Sequence, residues 1–225
     1  MRKQLALVVS ITIFLVILSS CSGGNPKDNN SLAADATKNF DYVVSNNSEN
    51  VVYHDELEHF GFLMTDKDKF EWTKDPSVSD ADFALSINAT DFINAGLDVT
   101  KLDKTVFSYQ PASGDTPAIL MHKLDVSNEK VVYKDYKEAF EKLLIQIPDR
   151  LSTLEKDGYI LDLGQGFQVH WNGEQRVNKD IAFIIGADEL VKAGLDVNKM
   201  TGWKVMKNKD PNDKTVKLLR IFYLK

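Results

Sequence analysis

The chain has 225 residues, 43% of them hydrophobic and 27% charged, with a formal net charge of −6. It is too apolar for a disordered protein and long enough for one large or two small domains, while the acidic balance argues against a nucleic-acid binder, since nothing would neutralise a run of phosphates. A single cysteine excludes internal disulfides, zinc sites built from several thiolates and Cys-x-x-Cys redox chemistry.

In chain order, Arg2 and Lys3 form a short positive region, and Leu5 to Leu18 are apolar apart from Ser10 and Thr12. That run is short for a membrane span, which needs about 20 residues, and has the length of the apolar core of a secretory signal. It ends in Leu18-Ser19-Ser20-Cys21. This sequence resembles the lipobox of bacterial lipoproteins: an aliphatic residue, two small residues, then Cys. The resemblance implies cleavage between Ser20 and Cys21, with Cys21 thioether-linked to diacylglycerol as the mature N-terminus. It covers the first 21 residues and implies nothing about the rest. Loss of Arg2 and Lys3 with the signal takes the net charge from −6 to −8, so the acyl chains, and not charge, must hold the protein to an anionic bilayer. Lys far outnumbers Arg, and Asn, Asp and Ile are common, a bias expected of an AT-rich, Gram-positive host. Ser22 to about Asn30 is polar, Gly-containing and turn-prone, and reads as a flexible tether.

The body reads as a tandem repeat. Asp82–Leu102 returns 98 residues later as Asp180–Met200, with 10 identities in 21 positions, where chance gives roughly one or two. The match extends outward to Gly61–Met64 with Gly158–Leu161, and to Phe70-Glu71-Trp72 with Val169-His170-Trp171. Local physics accounts for the shared motif. Phe83–Ile87 reads as a buried strand, and Thr90 and Asp188 are expected N-caps of short helices. Gly96 and Gly194 suit the left-handed position of a Schellman stop, with Phe92 and Leu190 three places inside it and Leu97 and Leu195 just beyond.

Further strands are expected near Phe60–Thr65, Lys69–Thr73, Thr105–Tyr109 and Ala118–Leu124, and again near Tyr159–Leu163, Gly166–Trp171, Trp203–Lys207 and Thr215–Leu224. Tyr136, Phe140, Leu143, Ile147, Leu151 and Leu154 recur at helical spacing, predicting an amphipathic helix over about 133–156 that Pro148 kinks. Its counterpart should lie within Leu32–Leu57, as a shorter helix followed by a strand. The expected fold class is α+β: two tandem copies of an antiparallel β-rich module with short helices, linked by an amphipathic helix. The alternative is one continuous sheet with pseudo-twofold symmetry. The expected division is a signal peptide over 1–20, a tether over 21–31, the first repeat over 32–126, and the linking helix with the second repeat over 127–225.

Residues able to carry chemistry are few. No Gly-x-Ser-x-Gly elbow accompanies His54, His59, His122 or His170. His54 and His59, among Asp55, Glu56 and Glu58, are the most metal-like cluster, but a spacing of five is wrong for one helix face. His170 alternates away from Phe167, Val169 and Trp171 and is expected to face solvent. Asp66 and Asp68 read as turn residues. Asn208 to Asp213 looks like a calcium loop only superficially, lacking the Gly at position six and the Glu at position twelve, where Leu219 stands. Gly164-Gln165-Gly166 lacks the third glycine and following helix of a phosphate loop, and reads as a turn. Trp72 and Trp171 share strand faces with apolar neighbours and read as core, whereas Trp203, opening a strand, is expected to be more exposed.

No catalytic residue, cofactor or metal ligand is therefore assigned, and the lipobox resemblance implies lipidation of Cys21. The expected function is a membrane-anchored, non-enzymatic binding module on the extracytoplasmic face of the membrane, with an envelope protein or cell-wall component as partner. The alternatives are a small-ligand-binding lipoprotein with a cleft between the copies, or an envelope hydrolase whose site forms only in three dimensions.

Overall fold

A computed structural model describes residues 28–54, 58–64, 68–76, 81–111, 119–126, 131–154, 158–173, 180–208 and 210–223. The lipobox and Cys21 lie outside them, as do Asp55, Glu56 and Asp66.

The first copy runs α1 (Asn29–Ser45), β1 (Val51–His54), β2 (His59–Leu63), β3 (Lys69–Thr73), β4 (Phe83–Asn88), α2 (Thr90–Asn94), β5 (Ser108–Gln110) and β6 (Ile119–Leu124). The second repeats it as α3 (Tyr136–Gln146), β7 (Leu151–Leu154), β8 (Gly158–Gly164), β9 (Phe167–Asn172), β10 (Asp180–Gly186), α4 (Asp188–Lys192), β11 (Lys204–Val205) and β12 (Lys217–Tyr223). Each copy makes its own antiparallel sheet, in the orders β1-β2-β3-β4-β6-β5 and β7-β8-β9-β10-β12-β11. The fold is thus α+β with two sheet modules, not one continuous sheet.

Three boundaries depart from the sequence reading. Helix α1 begins at Asn29, inside the expected tether, because the Asp28 side chain accepts the Ser31 N–H at 2.7 Å and caps it. Helix α3 stops at Gln146, and Pro148 starts a 3-10 turn. A proline N can accept no place in the helical ladder, and it forces Ile147 out of helical backbone, so Leu151 and Leu154 become strand β7. Thr90 and Asp188 are the first residues of their helices, not side-chain caps. The Asp188 carboxylate instead accepts the Val216 N–H at 3.0 Å, tying α4 to the chain entering β12.

The helices are exchanged between copies. Helix α1 packs on β8 and β9 of the second sheet, α3 packs on β3 of the first, and the two helices pack on each other. The indole N–H of Trp171 donates to the Ala36 carbonyl of α1 at 3.1 Å, and that of Trp72 to the Tyr136 carbonyl of α3 at 2.9 Å. Phe40 and Phe140 stack at 4.7 Å between the sheets and present edges to Phe70, Trp72 and Trp171. Both tryptophans are fully buried. A single copy would bare the apolar face of its sheet, so the pair forms one core.

The shared motif joins the copies as well. The expected Schellman bonds form: Leu97 N–H to Phe92 O and Leu195 N–H to Leu190 O, both at 2.9 Å. Gly96 (φ 101°) and Gly194 (φ 103°) supply the left-handed backbone. Beyond the stops, the Asp98 N–H donates to Ala193 O at 2.9 Å and the Asp196 N–H to Ala95 O at 3.0 Å. A β-carbon on either glycine would sit 3.0–3.1 Å from the other's carbonyl oxygen.

Candidate functional site

A cleft opens between the copies where the short strand β5 ends. β5 pairs with β6 only along Ile119–Met121, and among the described residues no strand pairs with His122 to Leu124 on that side. The chain entering β5 is held by Asp103, whose Oδ1 accepts the Thr105 N–H at 2.8 Å and its hydroxyl at 2.7 Å; these bonds, the hydroxyl first, lower the Asp103 pKa. Facing it is the β8–β9 hairpin, where Gly164, Gln165 and Gly166 all have positive φ and Asp162 Oδ1 accepts the Gly164 N–H at 2.7 Å. A β-carbon on Gly166 would lie 3.1 Å from Gly186 Cα, so the hairpin tip packs closely against β10 and projects Gln165 outward.

The cleft has two adjoining lobes that share Val106, Phe107 and Gln165. One, of about 270 Å3, is also lined by Phe167, Gly186, Asp188 and Glu189. The other, of about 290 Å3, is lined by Lys104, Thr105, Ser108, His122 and Lys123. Asp188 and Glu189 thus line one lobe and Lys104 and Lys123 the other, with Val106 and Phe107 common to both.

His122 is the buried polar group of this site, 6% exposed. Its ring stacks on Phe167 of the second copy at 4.3 Å and 6°, and Phe167 in turn meets the edge of Phe107 at 5.7 Å. His122 Nε2 lies 3.0 Å from the Leu163 carbonyl. A carbonyl only accepts, so Nε2 carries the proton. Burial depresses the pKa below the ordinary histidine value, against the pull of the Leu163 and Val106 backbone, and the ring is neutral at pH 7. Nδ1 then carries the lone pair; it is shut off from solvent and makes no hydrogen bond among the described residues.

The pseudo-equivalent contact in the other half is ionic. His122 pairs with Leu85 and Arg220 with Phe183, positions that the repeat aligns; Asp68 likewise aligns with Phe167, each two residues before the partner of those positions. Arg220 Nη1 meets Asp68 Oδ2 at 2.8 Å, with Asp68 fully buried and its Oδ1 accepting the Asn88 N–H at 2.9 Å. Asp68 is thus a bridge between copies, not a simple turn residue. Arg220 also lies over the rings of Trp203 and Phe222. Trp203 is 6% exposed, with its ring edge-on to Phe92 of helix α2 at 5.5 Å, so it is core and not the more exposed aromatic expected from its place at a strand start.

The other candidates stay apart from the cleft. His54 and His59 are cross-strand partners on β1 and β2, and His59 is buried. Glu58 bonds the Tyr53 hydroxyl and pairs with Lys74 at 3.2 Å, which lowers its pKa, the Tyr53 bond being the larger cause. His170 takes the outer face as expected but is half-buried beside Gln168, 3.0 Å away, and desolvation lowers its pKa to about 4. Asn208 bridges the Asp213 and Thr215 carbonyls at 2.8 Å, closing the turn between β11 and β12. Among the described residues no group of three or more His, Cys, Asp or Glu is placed to hold a metal ion, and no helix is long and apolar enough to cross a membrane.

Sequence reasoning weighed His122 only as a catalytic histidine, read Gln165 as part of a turn, and did not single out Arg220. The available signal was the extended repeat alignment, in which an aromatic pair in one half stands where an ion pair stands in the other. Comparison with protein-family models, curated proteins and solved structures finds no match to this chain.

Proposed function

We propose that this protein is a lipid-anchored binding module on the extracytoplasmic face of a bacterial, Gram-positive cell membrane, engaging an envelope protein or cell-wall component. The observation that carries the reading is the position of the chain's only cysteine, Cys21, directly after Leu18-Ser19-Ser20 and the apolar run. Six residues separate Cys21 from Asp28, which caps the first helix, a reach of about 20 Å when fully extended. The duplicated body would then be presented close to the bilayer. Two or more acyl chains provide stable anchoring, at roughly 0.8 kcal/mol per buried CH2. Growth with labelled palmitate tests this: label should enter the protein and vanish in Cys21→Ser, which should also leave the detergent phase on partitioning. Label retained by Cys21→Ser refutes the anchor.

A second reading is a small-ligand-binding lipoprotein. It is favoured by the cleft between the copies, which residues of both line.

A further inference from the structure

The two copies bury the same face of their sheets but differ on the other. Antiparallel sheets with one face on the core ordinarily turn polar side chains outward, and the first sheet does so. Its outer face carries Gly61, Glu71, Ala84 and Lys123 in one cross-strand row, and Lys69 and Ser86 in the next, with Lys69 paired to Glu71 at 3.0 Å. The second sheet places Ile160, His170, Ala182 and Ile221 in the aligned row, and Gln168, Ile184 and Leu219 in the next. Ile160, Leu219 and Ile221 are half-buried, and Tyr223, on the same face at the end of β12, is 67% exposed. The polar pair in the middle is internally satisfied: His170 Nε2 lies 3.0 Å from Gln168 Oε1, and the ring is neutral at pH 7, since desolvation lowers its pKa to about 4. Among the described residues, the helix packed on β8 and β9 is α1, and it lies on the inner face with Trp171. An apolar outer face beside a duplicated one that is polar marks a contact surface.

The charges at its rim select the occupant. Asp162 on β8 pairs with Gln168, Gln168 with Ile184, Ile184 with Leu219, and Leu219 with Lys204 on β11. A carboxylate and an ammonium group therefore end the same row, two strands to either side of β10. Asp162 is half-buried and Lys204 exposed. A twofold axis lying along β10 in the plane of contact exchanges β8 with β11 and β9 with β12. It sets Asp162 of each molecule over Lys204 of the other, and Ile184 over Ile184. We propose that this face is the interface of a symmetric dimer of the chain, with the two second sheets packed face to face about β10. Sheets stacked in this way lie about 10 Å apart with their strands turned by about 30°. The face spans about 24 Å across β8 to β11 and about 24 Å along β10, roughly 500–600 Å2 per molecule, which is near the lower limit for a specific contact. The dimer is therefore weak and reversible. An anionic bilayer is the poorer occupant, because the chain from Cys21 onward carries a net charge of −8 and Asp162 stands at the rim.

The test is sedimentation velocity on the chain from residue 21, carrying Cys21→Ser, from micromolar to millimolar concentration. The chain should pass from monomer to dimer as concentration rises. Ile221→Lys installs the residue type that the first copy carries at the aligned place, Lys123, and should weaken the dimer at least tenfold with the circular dichroism spectrum unchanged. Lys204→Glu, an exposed substitution on the edge strand, sets like charges over each other and should weaken the dimer as well. Adding Asp162→Asn to it, which keeps a side-chain carbonyl for the Gly164 N–H, should recover part of the loss. A monomer at millimolar concentration overturns the proposal, as does a dimer that both Ile221→Lys and Lys204→Glu leave intact. A dimer weakened by Ile221→Lys but indifferent to Lys204→Glu overturns the arrangement about β10. Binding of the monomer to phosphatidylcholine vesicles, lost in Ile221→Lys, would give the face to the bilayer instead. None of these results bears on acylation of Cys21, which the palmitate label decides separately.

Discussion

Gly194→Ala offers the sharpest test of how the two copies are joined. The residue has φ 103°, where a side chain costs about 1–2 kcal/mol from the clash of its β-carbon with the backbone. The added carbon would also stand 3.0 Å from the Gly96 carbonyl oxygen. That oxygen belongs to backbone held by the reciprocal bonds Asp98 N–H to Ala193 O and Asp196 N–H to Ala95 O, so it cannot swing aside as a side chain would. Overpacking of this kind adds about 1–3 kcal/mol, for a total of about 2–5 kcal/mol. Gly202→Ala is the internal control: φ is 72°, and the nearest atoms to its β-carbon belong to the Arg220 side chain at 3.8 Å, so it should show the backbone cost alone. Urea denaturation of both variants measures the difference. Since 1 kcal/mol shifts the melting temperature by about 2–4 °C at this size, Gly194→Ala should also melt clearly below Gly202→Ala. Equal costs for the two would refute the claim that close approach across the copies, and not the helix stop alone, requires glycine at 194. Combining Gly194→Ala with Gly96→Ala should cost less than the two singles added together, because both open the same contact.

Three other outcomes follow from the same interface. Asp68→Ala leaves the Arg220 guanidinium without its partner at 2.8 Å and should cost about 3–5 kcal/mol by denaturant titration, whereas Asp68→Ala with Arg220→Met should recover much of the loss. Phe40→Ala removes the ring that stacks on Phe140 and meets both sheets; a cost of about 3–5 kcal/mol, with one cooperative transition for the whole body, is expected, and two separate transitions would contradict the shared core. His170 is half-buried with its pKa lowered to about 4 by desolvation. Its native ring resists the proton that the unfolded ring takes near pH 6.5, so stability falls as pH drops from about 6.5 to about 4 and then levels off. The loss is on the order of 3 kcal/mol, and His170→Gln should remove that part of the pH dependence.

Much of the architecture was legible without coordinates, because it rests on local rules. The duplication shows as identities at a fixed interval. The helix stops show as Ala-Gly-Leu after an apolar turn, since only glycine adopts φ near 100° cheaply. The strands show as apolar alternation between turn residues, and Pro148 marks the place where helix α3 gives way. The proposed lipid address at Cys21 likewise rests only on the order of residues along the chain.

What pairs across the copies was decided by tertiary structure. No local pattern says that α1 covers the sheet of the second copy and α3 that of the first, because an amphipathic helix satisfies either apolar face equally well. Trp203 follows a turn and reads as exposed, yet Phe92 and Arg220 from elsewhere in the chain bury it. Asp68 reads as a turn residue until Arg220, 152 positions later, arrives beside it. The candidate cleft has the same origin: His122 lies on a strand of the first copy, and its stacking partner Phe167 and acceptor Leu163 lie on strands of the second. Sequence carries the periodicities that make each module, whereas contacts between modules depend on how two finished surfaces meet.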